Sequence, residues 1–362
     1  MTASAASTVP AADRYGYVFI AERGRIIVRR ERNAAPIFEL AGVAPAVSAD
    51  GKRIAYWRAT PNVGNFTDFT PGGTDLRILD VADPTSDRSV LAMSGQTLGG
   101  NVVWSNDGQG LLVATYSRET VGPTGLPAQY DLLMLDLAST PPSTRSAAAQ
   151  VSGGLVYRPI AWDRPGQVAA AVVVGSGGGF AVEYVTWDGN AASPFARVPL
   201  RGMAVSSASA DAKLVLGGVD DKSGSVQQMW PLNDITKAET LRSPGPNWVP
   251  SFWRPGPTAP HELIWTVGLQ ADQVRSLELV PNGTVSSTTL YTAAGGEQRM
   301  AFVAVRPDGS GVLVSEETPR PTADPPTPTT RLVVVDVATR QATDIWTTTG
   351  YVRFLPRGVL LR

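Results

Sequence analysis

The chain has 362 residues and no cysteine, which excludes disulfides, thiolate metal centres and a cysteine nucleophile. Its 31 basic and 32 acidic residues leave a net charge of −1, too little field to gather nucleic acid or anionic lipid, and no apolar run reaches the roughly 18 residues a membrane-spanning helix needs. With charged residues at 17% and hydrophobic residues at 43%, a sizeable core must lie beneath a surface of Thr, Ser, Gly, Pro and Ala, a composition that suits the cell exterior.

Residues 1–13 are small and polar, lack the basic start and hydrophobic stretch of a signal peptide, and read as a disordered leader or linker. Residues 14–362 read as one domain. Tyr15 to Gly42 reads as the outer strands of a sheet with no inner strand before it, and its Arg23–Arg32 cluster, interrupted by Glu31, reads as a solvated edge strand. One pattern then recurs about every fifty residues: an apolar strand, a tight turn, a second apolar strand. Its clearest copy runs from Val47 through Asp50-Gly51 to Tyr56. The others centre on Asn106-Asp107-Gly108, Arg164-Pro165-Gly166, Ala210-Asp211-Ala212, Arg254-Pro255-Gly256, Pro307-Asp308-Gly309 and Pro356-Arg357-Gly358. Asp caps such a turn, Pro pre-sets its first dihedral and Gly accepts positive φ, so Ala212 makes the fourth turn the least secure.

A third strand follows, closing on Asp in Leu76–Asp80, Leu132–Asp136, Val182–Asp188 and Leu332–Asp336, and then a weaker fourth. Trp104, Trp162 and Trp253 stand at matching places just before the inner turns, as core residues between sheets would. Four strands per repeat predict an all-β fold, a seven-bladed β-propeller of four-stranded antiparallel blades. Tyr351 to Leu355 is an inner strand with no outer strands after it, so the ring is expected to close by pairing the N- and C-terminal strands. Both Tyr17–Ile20 and Val359–Leu361 fit the second strand of that closure blade.

Ser48–Tyr56, Trp104–Gly108 and Arg306–Gly309 resemble the PD40 repeat, a WD40-like motif that builds the TolB-like propellers and is similar to the propeller domains of prolyl oligopeptidase-type peptidases. What the resemblance implies is architecture, since the motif describes a turn and a strand pair and carries no catalytic residue. True WD40 repeats end their third strand in Trp-Asp, found here in place only at Trp187-Asp188.

Dedicated chemistry is hard to find. A Ser-His-Asp triad would need the one histidine, His261, which sits after a Pro-rich turn without a G-x-S-x-G elbow. In Ser48-Ala49-Asp50-Gly51 and Ser105-Asn106-Asp107-Gly108 the Gly comes one place too early for a sialidase-type Asp box, so these Asp residues are expected to form turns. Asp83, Asp87, Asp220 and Asp221 lack the alternating ligand pattern of a calcium loop, and Gly175–Gly179 lacks the Lys-Ser/Thr ending of a phosphate loop. No cofactor, no metal site and no enzymatic activity are expected.

Three loops between second and third strands are long: Thr60–Thr74, Arg118–Gln129 and the Pro-rich Thr318–Thr330. Long loops on a rigid scaffold are where function concentrates, and their blades neighbour one another once the closure blade is counted. The candidate binding residues are Trp57, Arg58, Phe66 and Phe69 for the first loop; Tyr116, Arg118, Glu119 and Tyr130 for the second; and Glu316, Glu317 and Arg320 for the third. Aromatic and Arg side chains anchor protein interfaces, and aromatics stack on sugars. The expectation is a monomeric, extracytoplasmic propeller, the soluble part of an anchored protein, that binds a protein or glycan partner without nucleic acid or membrane insertion. Two alternatives stand beside it: a carbohydrate-binding or glycan-processing propeller, and the gating propeller of a peptidase whose catalytic domain is absent.

Overall fold

The computed structural model describes residues 17–349 except 23–24, 31–35, 49, 60–72, 95–96, 118–129, 149–154, 176–181, 189–195, 201–202, 210, 222–223, 242–247, 255–261, 269–273, 281–286, 293–298, 306–309 and 318–328. The strands form successive sheets whose paired neighbours all run antiparallel. The first holds β1 (Tyr17–Glu22), β2 (Arg25–Arg30), β3 (Pro36–Val47), β4 (Arg53–Ala59), β5 (Gly73–Asp80) and β6 (Asp83–Ala92). The second holds β7 (Thr97–Trp104), β8 (Gly110–Ser117), β9 (Tyr130–Asp136) and β10 (Ser143–Ala148). In the third are β11 (Leu155–Asp163), β12 (Val168–Gly175), β13 (Val182–Asp188) and β14 (Ala196–Leu200). The fourth has β15 (Met203–Ala208), β16 (Leu214–Asp221), β17 (Gly224–Pro231) and the short β18 (Glu239–Thr240). The fifth has β19 (Trp248–Arg254), β20 (Glu262–Gly268), β21 (Val274–Val280) and β22 (Thr288–Thr292); the sixth has β23 (Arg299–Val305), β24 (Gly311–Glu317), β25 (Thr329–Asp336) and β26 (Ala342–Thr349).

The six strands of the first sheet are two units sharing one long strand. The first part of β3 pairs with β2, from Pro36↔Arg29 to Ala41↔Arg25, and its second part pairs with β4, from Gly42↔Arg58 to Val47↔Ile54. The register of β3 slips between Val43 and Ala46, where Ala44 takes a positive φ of 49°. A slip recurs in the first strand of every later sheet, at Gly99/Val102, Pro159/Ala161, Val205/Ser207, Pro250/Phe252 and Phe302/Ala304. A bulge at one fixed place bends and twists each of these strands alike.

One sequence expectation changes here. The Arg-rich segment is not an edge strand: β2 is paired on both sides, and its alternation is overridden by three consecutive buried residues, Ile26, Ile27 and Val28. Tyr17–Ile20 lies within β1, directly beside β2; Val359–Leu361 and Tyr351–Leu355 lie outside the described residues.

The inner turns share one hydrogen-bond plan. Ser48 Oγ donates to Asp50 Oδ1 at 2.6 Å, and Oδ1 accepts from Lys52 N; Ser105 with Asp107 and Ser209 with Asp211 repeat the contact at 2.6 Å. Each Ser oxygen also accepts a backbone N–H across the turn, from Arg53, Gly110 and Leu214. These Asp residues therefore build turns, and burial, which raises their pKa, is outweighed at Asp50 and Asp107 by those bonds, leaving both carboxyls below the usual range. Ala212 fits the plan after all, taking φ +56° where Gly51 and Gly108 take +71° and +68°. In the third turn the left-handed residue is Gln167, one place beyond Gly166; Gly166 is needed because a side chain there would run into the Asp163 carboxylate. The later turns, at 255–256, 307–309 and 356–358, lie outside the described residues.

Packing runs from sheet to sheet. Ile26 and Val28 of β2 cluster with Ile54, Tyr56 and Leu79 across the shared first sheet. Ala55, Trp57, Leu76 and Ile78 cluster with Trp104, Leu111, Val113 and Leu135 of the second sheet. The second meets the third where Trp162 fills the space beside Gly110; the third meets the fourth through Ala170, Val172, Val215 and Trp230, and the fourth the fifth through Leu216, Leu263 and Trp265. Ile27 of β2 shares a cluster with Leu313, Leu332, Val334 and Ile345 of the sixth sheet. As expected, Trp104 and Trp162 are buried; the side chain of Trp253 is outside the described set.

Candidate functional site

Each long loop leaves and re-enters one sheet through a paired hairpin base. Residues 60–72 connect β4 to β5, with Ala59 opposite Gly73; residues 118–129 connect β8 to β9, with Tyr116 opposite Tyr130. Residues 318–328 connect β24 to β25, with Glu316 opposite Arg331 and Glu317 opposite Thr330. The inner turns lie at the other end of the same strands, where Gly110 faces Asp136 and Arg53 faces Asp80. Phe66, Phe69, Arg118, Glu119, Arg320 and His261 lie outside the described residues, as do the side chains of Tyr130 and Glu317.

Trp57 is not a surface anchor. It is wholly buried, its Nε1 donates to the Gly100 carbonyl at 2.8 Å, and its ring takes the space a side chain on Gly99 would need. Pleat parity explains this, because Trp57 and Ala55 point into the next sheet while Arg58 points outward. Tyr116 is likewise buried. Arg58 is the exposed member, with its side chain 55% accessible and Nη1 3.7 Å from Asp75 Oδ2.

Asp75 opens a charged network under the first loop. Its Oδ2 accepts from Arg77 Nη1 at 2.9 Å and its Oδ1 from Ser89 Oγ at 2.5 Å. Arg77 Nε reaches both Asp87 oxygens, at 2.9 and 3.0 Å, and Nη2 donates to the Asp87 carbonyl. Hydrogen bonds donated to Asp87 and Asp75 hold the guanidinium firmly protonated, and burial beside Asp87 pushes the Tyr56 hydroxyl up to about 12. Asp87, considered above for calcium, is thus taken by a guanidinium.

A second network lies under the third loop. Glu316 is 2% exposed, and both carboxylate oxygens are occupied: Oε1 by the Tyr291 hydroxyl at 2.6 Å, Oε2 by Arg331, whose Nη2 stands at 2.9 Å. Arg331 also donates to Tyr291 Oη at 3.1 Å and reaches Asp344 at 3.4 Å. Burial, then the Glu316 contact, raises the Tyr291 hydroxyl to about 12. Tyr291 belongs to β22 of the fifth sheet, so the network also joins two sheets.

Both networks are closed pairs in which every buried carboxylate meets a guanidinium. They position charge and do not offer a free base or nucleophile. Among the described residues no group of three or more His, Asp or Glu could hold a metal ion. Sequence reasoning missed Asp75, Arg77, Tyr291 and Arg331, and weighed Asp87 only as a calcium ligand. Asp75 and Arg77 carried a signal, since charges at i and i+2 share one face of a strand; Tyr291 carried none, because its partner comes from another sheet.

No family model matches the chain, and no curated protein matches it. Solved structures do match in fold. The β-propeller domain of the Trilobed protease from Pyrococcus furiosus, described as having an open velcro topology, is 12% identical with a TM-score of 0.55 over 92% of this chain and 96% of that one. A dipeptidyl aminopeptidase IV from Bacteroides ovatus is 10% identical with a TM-score of 0.50 over 92% of this chain and 51% of its own. Prolyl oligopeptidase B from Galerina marginata is 10% identical with a TM-score of 0.50 over 86% of this chain and 43% of its own. The chain spans about half the length of those two peptidases. Its fold is that of a β-propeller, as the repeats implied.

Proposed function

We propose that the chain is a seven-bladed propeller ring that works as a non-catalytic binding domain outside the cytoplasm, through the face bearing its three long loops. The blade count follows from treating β1, β2 and the first part of β3 as a blade of their own, completed by Tyr351–Leu355 as inner strand. The observation that carries the reading is the cluster of Ile27 with Leu313, Leu332 and Val334. With the N-terminal blade against the sixth sheet, the bases of the three loops fall within a run of four neighbouring blades, the N-terminal blade standing between the third loop and the first, and their side chains can act as one surface.

The surface binds protein or glycan through Phe66, Phe69, Arg58, Arg118, Glu119, Glu317 and Arg320, and it requires no cofactor. The test is a variant with residues 60–72 and 118–129 replaced by short Gly-Ser links, assayed against immobilised glycans and candidate extracellular proteins. Binding that disappears in a variant with an unchanged melting temperature supports the reading. Binding that survives moves the site elsewhere.

A second reading, the gating propeller of a peptidase, is favoured by the length match to the propeller portion of the two peptidases. Native neighbouring sequence encoding a hydrolase would select it.

A further inference from the structure

The bases of the first two long loops meet at one side chain. Trp57 lies near the end of β4, which closes at Ala59, and the first loop returns against it, since a side chain on Gly73 would run into the Trp57 Cβ. The indole ring then crosses to the second sheet, takes the space beside Gly99 and donates Nε1–H to the Gly100 carbonyl at 2.8 Å. Gly99 is paired with Thr115, and further along the same ladder Thr97 is paired with Ser117, the residue from which loop 118–129 leaves. One wholly buried tryptophan thus touches both arms of the first loop's hairpin and the strand beside which the second loop starts.

This joint fixes position as well as filling space. The register of β7 slips between Gly99 and Val102, which turns the Gly100 carbonyl toward the Trp57 donor. Because neither Gly99 nor Gly100 carries a side chain, the ring rests directly on backbone, and a directional hydrogen bond beside a close-packed ring holds the two sheets in one relative placement. The charged pair at the base of the third loop, Glu316 and Arg331, is tied instead to Tyr291 of the fifth sheet.

We propose that Trp57 is a positioning residue that sets the first two long loops in register, so that a partner meets them as one composite site without touching the tryptophan itself. This rests on the long-loop face being the binding face.

Because the chain has no cysteine, Thr60→Cys and Arg118→Cys place one spin label at the start of each loop, and pulsed electron resonance reads the distance between them. Neighbouring sheets pack about 10 Å apart, so a single peak below about 30 Å is expected in the otherwise unaltered protein. Trp57→Phe keeps an aromatic ring but removes the donor to Gly100, and Gly99→Ala pushes the ring off the second sheet; each is expected to shift or widen that peak. Trp104→Phe removes the bond from Trp104 Nε1 to the Ala46 carbonyl, which joins the same two sheets nearer the inner turns, and is expected to leave the peak as it was. If Trp57→Phe does not fold, Gly99→Ala gives the answer. A peak unchanged by both variants overturns the proposal. So does the lack of a single peak before either change, or an equal change in Trp104→Phe, which would make Trp57 one packing contact among several. Binding that survives replacement of the loops removes the face but leaves the joint, whereas binding lost there with an unchanged peak here removes the joint alone.

Discussion

The Trp57 indole donates to the carbonyl of Gly100 at 2.8 Å, and its ring lies over Gly99, so two glycines of one sheet are the socket for a tryptophan of the sheet before. The reciprocal contact runs the other way, from Trp104 Nε1 to the Ala46 carbonyl at 2.8 Å. Both carbonyls lie beside register slips, at Val43/Ala46 and Gly99/Val102, where bulging frees a carbonyl from the ladder. Gly99→Ala is expected to cost about 1–3 kcal/mol by overpacking, and Trp57→Ala about 3–5 kcal/mol. Chemical denaturation measures both. A Trp57→Ala loss below about 1 kcal/mol would return Trp57 to the surface.

Asp163 gathers three neighbouring turns. It accepts from Asn106 Nδ2 at 2.8 Å and from the Gly166 N–H at 3.1 Å, and it is ion-paired with Lys213. Burial acts to raise its pKa, but the bonds from Lys213, Asn106 and Gly166 prevail and hold it below the ordinary 3.8. A carboxyl depressed on folding stabilises the protein above its unfolded value and ceases to do so as pH falls through the lower folded value. Asp163→Asn should therefore lose about 1–3 kcal/mol at neutral pH and show a flatter acid limb below about pH 4, the two proteins converging at the acid end. Parallel limbs would mean that Asp163 does not titrate with folding.

The alkaline side tests the two networks at the bases of the first and third loops. Tyr56 and Tyr291 have hydroxyls raised to about 12, above the ordinary 10, so their contribution is complete below pH 10 and is lost as pH rises toward 12. Tyr291→Phe should cost about 1–2 kcal/mol at pH 8, since Glu316 loses a buried donor, and should shrink the loss between pH 10 and 12. Ultraviolet titration of the phenolates gives the check. A normal value for Tyr291 would contradict the contact with Glu316.

Ala212 and Gly108 hold equivalent left-handed turn positions with different residues. Gly108→Ala is expected to cost about 1–2 kcal/mol, because a side chain there must also displace Arg53, whose Nη2 donates to the Gly108 carbonyl at 2.6 Å. Ala212→Gly relieves backbone strain but gives up a buried methyl, and the two nearly cancel, to within about 1 kcal/mol. Melting curves of the two variants decide whether the turns are equivalent.

What sequence could show followed range. Asp50 and Asp107 announce their turns because every bond involved lies within a few residues, and Asp136 or Asp336 closes its strand by accepting a backbone N–H two or three positions on. Ala212 was misjudged because its Ser209–Asp211 contact holds the turn without glycine. Trp57 was misplaced because its partner, Gly100, lies in the next sheet, and the buried β2 was mistaken for an edge because its arginines flank a hydrophobic centre. Glu316 was named as a binding candidate from its place beside a long loop, but it is buried, and its partners Tyr291 and Arg331 are ones that only folding brings near.

The central claim is that the N-terminal blade closes a ring against the sixth sheet. Because the chain has no cysteine, Ile37→Cys and Thr347→Cys give one spin label on the first part of β3 and one on β26, both exposed positions, and pulsed electron resonance reads the distance between them. Adjacent sheets pack about 10 Å apart, so with two label arms a single distance below about 30 Å is predicted. A distribution centred beyond about 45 Å, more than four sheet spacings, would show that these blades do not meet and would contradict the ring.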